Sequence, residues 1–288
     1  MKILRILNNN KYLIIGTIFI ILWSIAPIIW TLIVSISPMQ NLFSKPPIFN
    51  INEMGFKNYI TLLFGSESES SVINLAAIGF RKAYLNTIIV SIFTVVLCTS
   101  LSTMAGYVFT RFKFFGKKFL FLMIILSLSI PFIVIIIPLI RIISFINLTD
   151  TYIGLILVNT ASMLPLTVWF ATSYFHAIPH DLDDAAAIDG CSPIKTFFNI
   201  MIPLAKPVIG ANMIIIFIFS WCSFIIPLVL SSKEAKMITL VIAELKGRYT
   251  FERGLISSAG ILAIIPIIII VLFFNKFIIG GLAKGAIK

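Results

Sequence analysis

DLDDAAAIDGCSPIKTFFNIMIPLAKP, residues 181–207, is the stretch whose reading decides this chain. The sequence carries 11 acidic residues, and Asp181, Asp183, Asp184 and Asp189 fall together in this stretch. Long runs of Ile, Leu, Phe and Val lie on both sides of it. Asp181 is placed to cap a short helix, and Asp183 and Asp184 sit in a first turn whose partial positive charge favours carboxylates. Ala185, Ala186 and Ala187 follow as strong helix formers. Gly190 stands where a helix ends on a left-handed residue. Ser192-Pro193 then opens a second helix with a capping hydroxyl and a proline in the first turn. In that helix Ile194, Phe197, Phe198 and Met201 recur at i, i+3, i+4 and i+7 as one apolar stripe. Pro203 and Pro207 read as its stop. A water-facing loop gains nothing from exposing such a stripe. Either it caps the protein's own helices, or it docks a partner that the small alanine face lets come close.

The surroundings place this loop on a membrane protein. Of the 288 residues, 59% are hydrophobic and 11% charged, with a mean hydropathy of +1.09. Soluble domains carry about twice that share of charge. Six stretches read as membrane-spanning helices: 13–37, 83–110, 119–140, 151–175, 207–232 and 254–279, the last free of charge to residue 275. Each is long enough for a bilayer core, which takes about 20 helical residues, and too long for barrel strands. The first reads as a retained anchor, since its apolar run exceeds that of a cleaved leader. The net charge of +11 suggests nucleic acid only in a soluble protein. Here the basic residues lie between apolar runs as juxtamembrane anchors do, so the expected partner is the lipid bilayer and not nucleic acid.

Orientation follows the short loops. Residues 111–118, RFKFFGKK, hold Arg111, Lys113, Lys117 and Lys118 and no acid, whereas 141–150 holds Arg141 and Asp150. The positive-inside rule puts 111–118 in the cytoplasm, with both termini and the 176–206 loop. Loops 38–82 and 231–253 then face outside. In the first of these, GSESESS (65–71) reads as a polar turn, and VINLAAIGF (72–80), too short to span, as an interfacial segment ahead of span two. The whole chain, 1–288, reads as one membrane domain. Pro27, Pro131, Pro138, Pro165, Pro227 and Pro266 mark places where spans bend, either incidentally or around a central path.

The chemistry of an enzyme is missing. The spans contain no cluster of ionisable groups for acid–base work, and Cys98, Cys191 and Cys222 have no metal-binding spacing and read as free thiols. No G-x-x-x-x-G-K-[ST] occurs, so the chain is not read as holding ATP, and no cofactor or metal is expected on it. Nor is an acid or base buried in a span for ion coupling. Polar positions within spans, Asn86, Asn159, Asn212 and Ser220, are the candidates for a substrate path; as interhelical hydrogen bonds they have an equally direct role.

DDAAAIDGCSPIKTFFNIMIPLAKP resembles the EAA loop of ABC importer permeases, roughly E-A-A-x-x-D-G, a spacer, then I-x-x-P-L. Ala185, Ala186, Asp189, Gly190, Ile200, Pro203 and Leu204 match. Asp184 stands where the family has Glu, and Cys191 where a small Ala is usual. Leu85-Asn86-Thr87, RFKFFGKK, LTDTYIGLIL (148–157) and GGLAKGAIK at the C-terminus extend the likeness to the second permease of maltose- and glycerol-3-phosphate-type systems. Trp221-Cys222-Ser223-Phe224 departs from the W-N-D-F usual there, which leaves the solute open.

The resemblance implies an all-α membrane protein with six transmembrane helices in the type I ABC importer permease fold, and with cytoplasmic coupling helices between spans four and five. It implies a bacterial cytoplasmic (inner) membrane location. It also implies a homologous second permease, two ATPase subunits that bind the ATP, and an extracytoplasmic solute-binding protein. Asp184, Ala185, Ala186, Asp189, Gly190, Ile194, Phe197, Phe198, Met201 and Pro203 would then couple the chain to an ATPase. The solute would be a sugar or sugar derivative, glycerol-3-phosphate-like ones included. The competing readings are an ABC permease for a non-sugar solute, an ion-coupled carrier or channel, and a membrane-embedded enzyme.

Overall fold

The computed structural model describes residues 11–44, 50–65, 71–248 and 253–285. Among them the chain forms helices and turns and no strand. In chain order the helices are α1 (Lys11–Ile36), α2 (Met39–Phe43), α3 (Lys57–Phe64), α4 (Ser71–Arg111), α5 (Lys117–Ser127), α6 (Phe132–Phe145) and α7 (Tyr152–His176). There follow α8 (Asp181–Ile188), α9 (Pro193–Thr196), α10 (Ile202–Trp221), α11 (Ile225–Leu230), α12 (Ile238–Arg248) and α13 (Arg253–Gly285). Among the described residues five runs are long and apolar enough to cross a membrane, and α5 with α6 makes a sixth if the bent pair is one span. GSESESS, the first ten residues and the last three lie wholly or largely outside the described residues.

The chain falls into two compact units, residues 1–81 with 242–265, and 82–241 with 266–288. In the first unit α1 meets α3. The Tyr59 hydroxyl lies 2.6 Å from the Ser35 hydroxyl, and the Asn58 side chain donates to the Ser35 carbonyl at 2.9 Å. Ser258 donates to the same carbonyl at 3.2 Å. Gly254 lets Asn58 in: a Cβ there would stand 2.5 Å from the Asn58 amide nitrogen.

In the second unit, hydrogen bonds at the helix ends settle the crossing count. At its start α4 is tied to the segment after α11: Asn86 donates to the Glu234 and Lys236 carbonyls at 2.8 and 2.9 Å, and Thr87 accepts from the Ile238 amide at 2.8 Å. The start of α7 lies at the same end, because Tyr152 donates to Asn86 at 2.8 Å. The far ends also coincide, with Arg111 of α4 donating to the Ile178 carbonyl just past α7 at 2.9 Å. Thus α4 and α7 run parallel, and the chain between them must cross back. That crossing is α5 plus α6, so the bent pair is one span, and the described residues hold six.

The structure corrects four expectations. Span three is not one rod over 119–140. It breaks at residues 128–131 and turns by 105°, where Pro131 withholds its N–H and caps α6. Residues 72–80 are not separate from span two but form the opening of the 41-residue α4. Asp181 is not a cap: His180 holds that position, and the three aspartates fill the first turn, where the helix dipole suits them. Pro203 and Pro207 do not stop the second helix of the 181–207 stretch. The chain runs from Pro193 to Trp221 as one span, because Phe197–Met201 opens into a π turn. Pro203 cannot donate to the carbonyl four residues back, and one wider turn ahead of it absorbs the mismatch.

Candidate coupling site

At the Arg111 end, α8 and α9 form the helix–turn–helix that the residues specify. Asp181, Asp183 and Asp184 lie in the first turn of α8. Gly190 follows the helix with φ +75°, and the Cys191 amide bonds back to the Ala186 carbonyl at 2.9 Å. The left-handed residue closes the helix carbonyls without steric strain only because it lacks a Cβ. Ser192 caps α9 by accepting from the Lys195 amide at 3.3 Å.

One ion pair fixes α8 to the span bundle. Arg111 Nε lies 2.8 Å from Asp183 Oδ2, and the Arg111 side chain is 4% exposed. The contact is Coulombic, since neither atom completes an aligned hydrogen bond. The guanidinium also donates from Nη2 to the carbonyls of Ile178 at 2.9 Å and Pro179 at 3.5 Å. A charge so far out of water is costly unless paired. Here one planar group meets the carboxylate and the carbonyls left free past α7, a use that suits arginine and not lysine.

Below α8 the chain enters the core. Tyr107, Phe175, Phe197, Met201 and Ala205 form one buried cluster, with the Tyr107 ring 4.9 Å from Phe197 and 5.8 Å from Phe175. Tyr174 donates to the Leu204 carbonyl at 3.1 Å and joins α7 to α10. Gly106 lets α7 close on α4: a Cβ there would stand 2.6 Å from the Ala171 Cβ.

The ten residues expected to couple therefore divide. Asp184, Ala185, Asp189, Gly190, Ile194, Phe198 and Pro203 are exposed, whereas Ala186, Phe197 and Met201 are buried. The expected apolar stripe is split: the π turn stacks Phe197 and Met201 above Ala205 in the core and leaves Ile194 and Phe198 outside. Ile188, at 86% exposure, is the most exposed large apolar side chain of α8.

The four polar positions within the spans sit among packed helices. All are buried. Asn86 spends its whole amide on Glu234, Lys236 and Tyr152. Asn159 donates to Leu155 of its own helix at 2.8 Å, and Asn212 to the Thr167 carbonyl at 3.2 Å. Ser220 Oγ has no partner among the described residues. The departure at Trp221–Phe224 falls where α10 ends. Trp221 stacks on Phe217 at 5.5 Å and meets Tyr84 edge-on at 5.7 Å; Cys222 is exposed, and the Ser223 carbonyl accepts from Thr239 at 2.5 Å.

Two groups escaped the sequence reading. Arg111 was read only as a topology charge. Asp150, read as a loop charge, is a clamp: its carboxylate accepts from the backbone amides of Ser232, Lys233, Glu234 and Ala235 at 3.0 to 3.2 Å, and from the Ser232 hydroxyl at 2.9 Å. Burial works against its charge, but those amides outweigh it and hold the carboxyl well below the usual carboxylate range. Its φ of +57° was the only local signal, and a sequence does not display it.

Comparison with known proteins joins these observations. Residues 98–284 match the family described as binding-protein-dependent transport system inner membrane component. The chain is 34% identical to the arabinooligosaccharides transport system permease protein AraQ of Bacillus subtilis (strain 168), covering 97% of each chain. It is 32% identical to the trehalose transport system permease protein SugB of Mycobacterium tuberculosis (strain CDC 1551 / Oshkosh), covering 92% of this chain and 93% of that one. The structure of a bacterial ABC transporter that imports the acidic polysaccharide alginate has a chain superposing with a TM-score of 0.75 at 21% identity, over 94% of this chain and 96% of that one. The helical fold of the described residues is thus shared with a chain of an ABC importer, and the chain, a multi-pass membrane protein, belongs to the family of binding-protein-dependent transport system inner membrane components.

Proposed function

We propose that this chain is the permease subunit of an ATP-driven, binding-protein-dependent importer for a sugar or sugar derivative, and that α8 couples it to an ATPase. The observation that carries the reading is the Arg111–Asp183 pair. It makes α8 a rigid extension of α4, so that force on α8 moves a span and not a loose loop. Exposed Asp184, Ala185, Ile188, Asp189 and Gly190 form the contact, while Phe197 and Met201, locked in the core, pass the movement into α10. No Asp or Glu lies in the candidate spans, and in this reading the chain takes its energy from ATP bound by two partner subunits on the cytoplasmic side. A homologous permease completes the pathway.

The class of solute rests on the relatives, whose names give arabinooligosaccharides, trehalose and diacetylchitobiose. A related structure holds an alginate pentasaccharide-bound periplasmic protein, in keeping with delivery by a solute-binding protein. Asp150 suits that side of the molecule, since it holds residues 232–235 as a fixed edge. Reconstitution in proteoliposomes with the partner permease, ATPases and binding protein tests the reading. Sugar accumulation that needs ATP and the binding protein is expected. Uptake driven by an ion gradient without an ATPase would refute it.

A further inference from the structure

Where α4 ends, a surface pocket of about 280 Å³ opens between Met104, Tyr107, Val108 and Phe112 on one side and Ile194 and Phe198 on the other. Its accessible lining is wholly apolar. A sugar or a peptide polar group there would lose its hydrogen bonds to water and find none in return. The pocket also lies at a definite depth. Residues 83–110 are free of charge, a length that matches a bilayer with its headgroup layers. The last turns of α4 therefore sit at the boundary of acyl chains and headgroups.

The adjoining turn has the same character. Phe112, Phe114 and Phe115 are all exposed, Phe115 completely, among exposed Lys113 and Lys118. A turn in bulk water would not show three phenylalanines, whereas at an interface they enter the acyl boundary and the lysines meet anionic headgroups. Lys117 Nζ lies 3.0 Å from the carbonyl of Phe112, a lining residue. Lys195, exposed, adjoins Ile194 on the opposite wall. No carboxylate lines the pocket, and Asp183 is already paired with Arg111.

We propose that this pocket is a binding site for one anionic phospholipid, with an acyl chain between α4 and the α9–π segment and the phosphate held by Lys113 and Lys195. The occupied pocket fills the gap beneath the coupling loop, so the lipid would stiffen the joint through which α8 acts. This goes beyond the import reading and does not depend on which solute is carried.

The test uses the full chain in proteoliposomes containing phosphatidylglycerol or phosphatidylcholine, each bearing a photoactivatable group in the acyl chain. Labelled peptides are mapped by mass spectrometry. Phosphatidylglycerol is expected to label the stretches around Val108 and Phe198 in preference to phosphatidylcholine. Lys113→Gln and Lys195→Gln should each lower that labelling about fivefold. Val108→Trp, which fills the pocket, should abolish it while labelling on the outer faces of α1 persists. Because the lysines are at the surface, their variants keep the test decisive if Val108→Trp fails to fold. Labelling equal for the two lipids, or unchanged in the lysine variants, overturns the proposal, as does a Phe198→Cys crosslink to an ATPase subunit with no lipid labelling.

Discussion

Arg111 Nε stands 2.8 Å from Asp183 Oδ2, and this pair joins the last residue of a 41-residue helix to the first turn of α8. Removing the guanidinium leaves a largely buried carboxylate unpaired, and the carbonyls of Ile178 and Pro179 lose their donor. Arg111→Gln is expected to loosen α8 by about 2–3 kcal/mol, somewhat below the usual cost for a fully buried pair because Asp183 keeps some exposure. Hydrogen exchange of the α8 amides should rise about 30-fold or more, with the spans unchanged. Arg111→Lys should rescue only in part, since an ammonium cannot reach all three partners.

Gly190 separates backbone from packing effects. A Cβ there would touch nothing within 4 Å, but φ is +75°. Gly190→Val should cost about 1–2 kcal/mol and abolish uptake with insertion intact, whereas Gly190→Asn, which tolerates the left-handed region, should retain most of it. Normal uptake by the Val variant would remove the turn from the mechanism.

Gly106 is the opposite case, a matter of space. Gly106→Ala puts a methyl 2.6 Å from the Ala171 Cβ and 2.9 Å from the backbone of Ala171 and Thr172. The helices must part, at a cost of about 1–3 kcal/mol. The thermal midpoint of the purified protein should fall, and adding Ala171→Gly should recover part of it, the backbone contact remaining.

Asp150 gives a pH dependence with a definite sign. Its carboxyl is lowered from 3.8 in the folded state, so the stability it contributes is complete above that value and is lost only as pH falls below it. Protection of the 232–235 amides should therefore stay flat from about pH 5 to 8. Asp150→Asn should raise their exchange about tenfold to a hundredfold at neutral pH, because an amide nitrogen replaces one accepting oxygen.

What was legible in the sequence was local. Ser192 before Pro193, and Gly190 after three alanines, name their own conformations, because caps and left-handed turns depend on adjacent residues. The spans were legible by length and apolarity. Contacts distant in sequence were not: Arg111 meets Asp183 across the whole of α5, α6 and α7, and Asp150 meets residues 232–235 beyond α10. The π turn was hidden because Pro203 allows either a stop or a register shift, and burial of Phe197 and Met201 against Tyr107 decided for the shift. Asp181 was misread as a cap because the carboxylate serves equally well one position later. The buried asparagines were legible as polar, but their role was not, since Asn86 has every donor and acceptor occupied by neighbours.

The most direct test of coupling through α8 is a cysteine crosslink at Ala185, which is exposed where the adjacent Ala186 is 2% exposed. Ala185→Cys would be placed in a chain whose Cys98, Cys191 and Cys222 are replaced, and paired with ATPase subunits carrying single cysteines on their permease-facing surface. The account predicts a crosslink whose yield changes when ATP is bound. A folded, inserted chain that transports its solute yet gives no crosslink to the ATPase, with or without ATP, would contradict it.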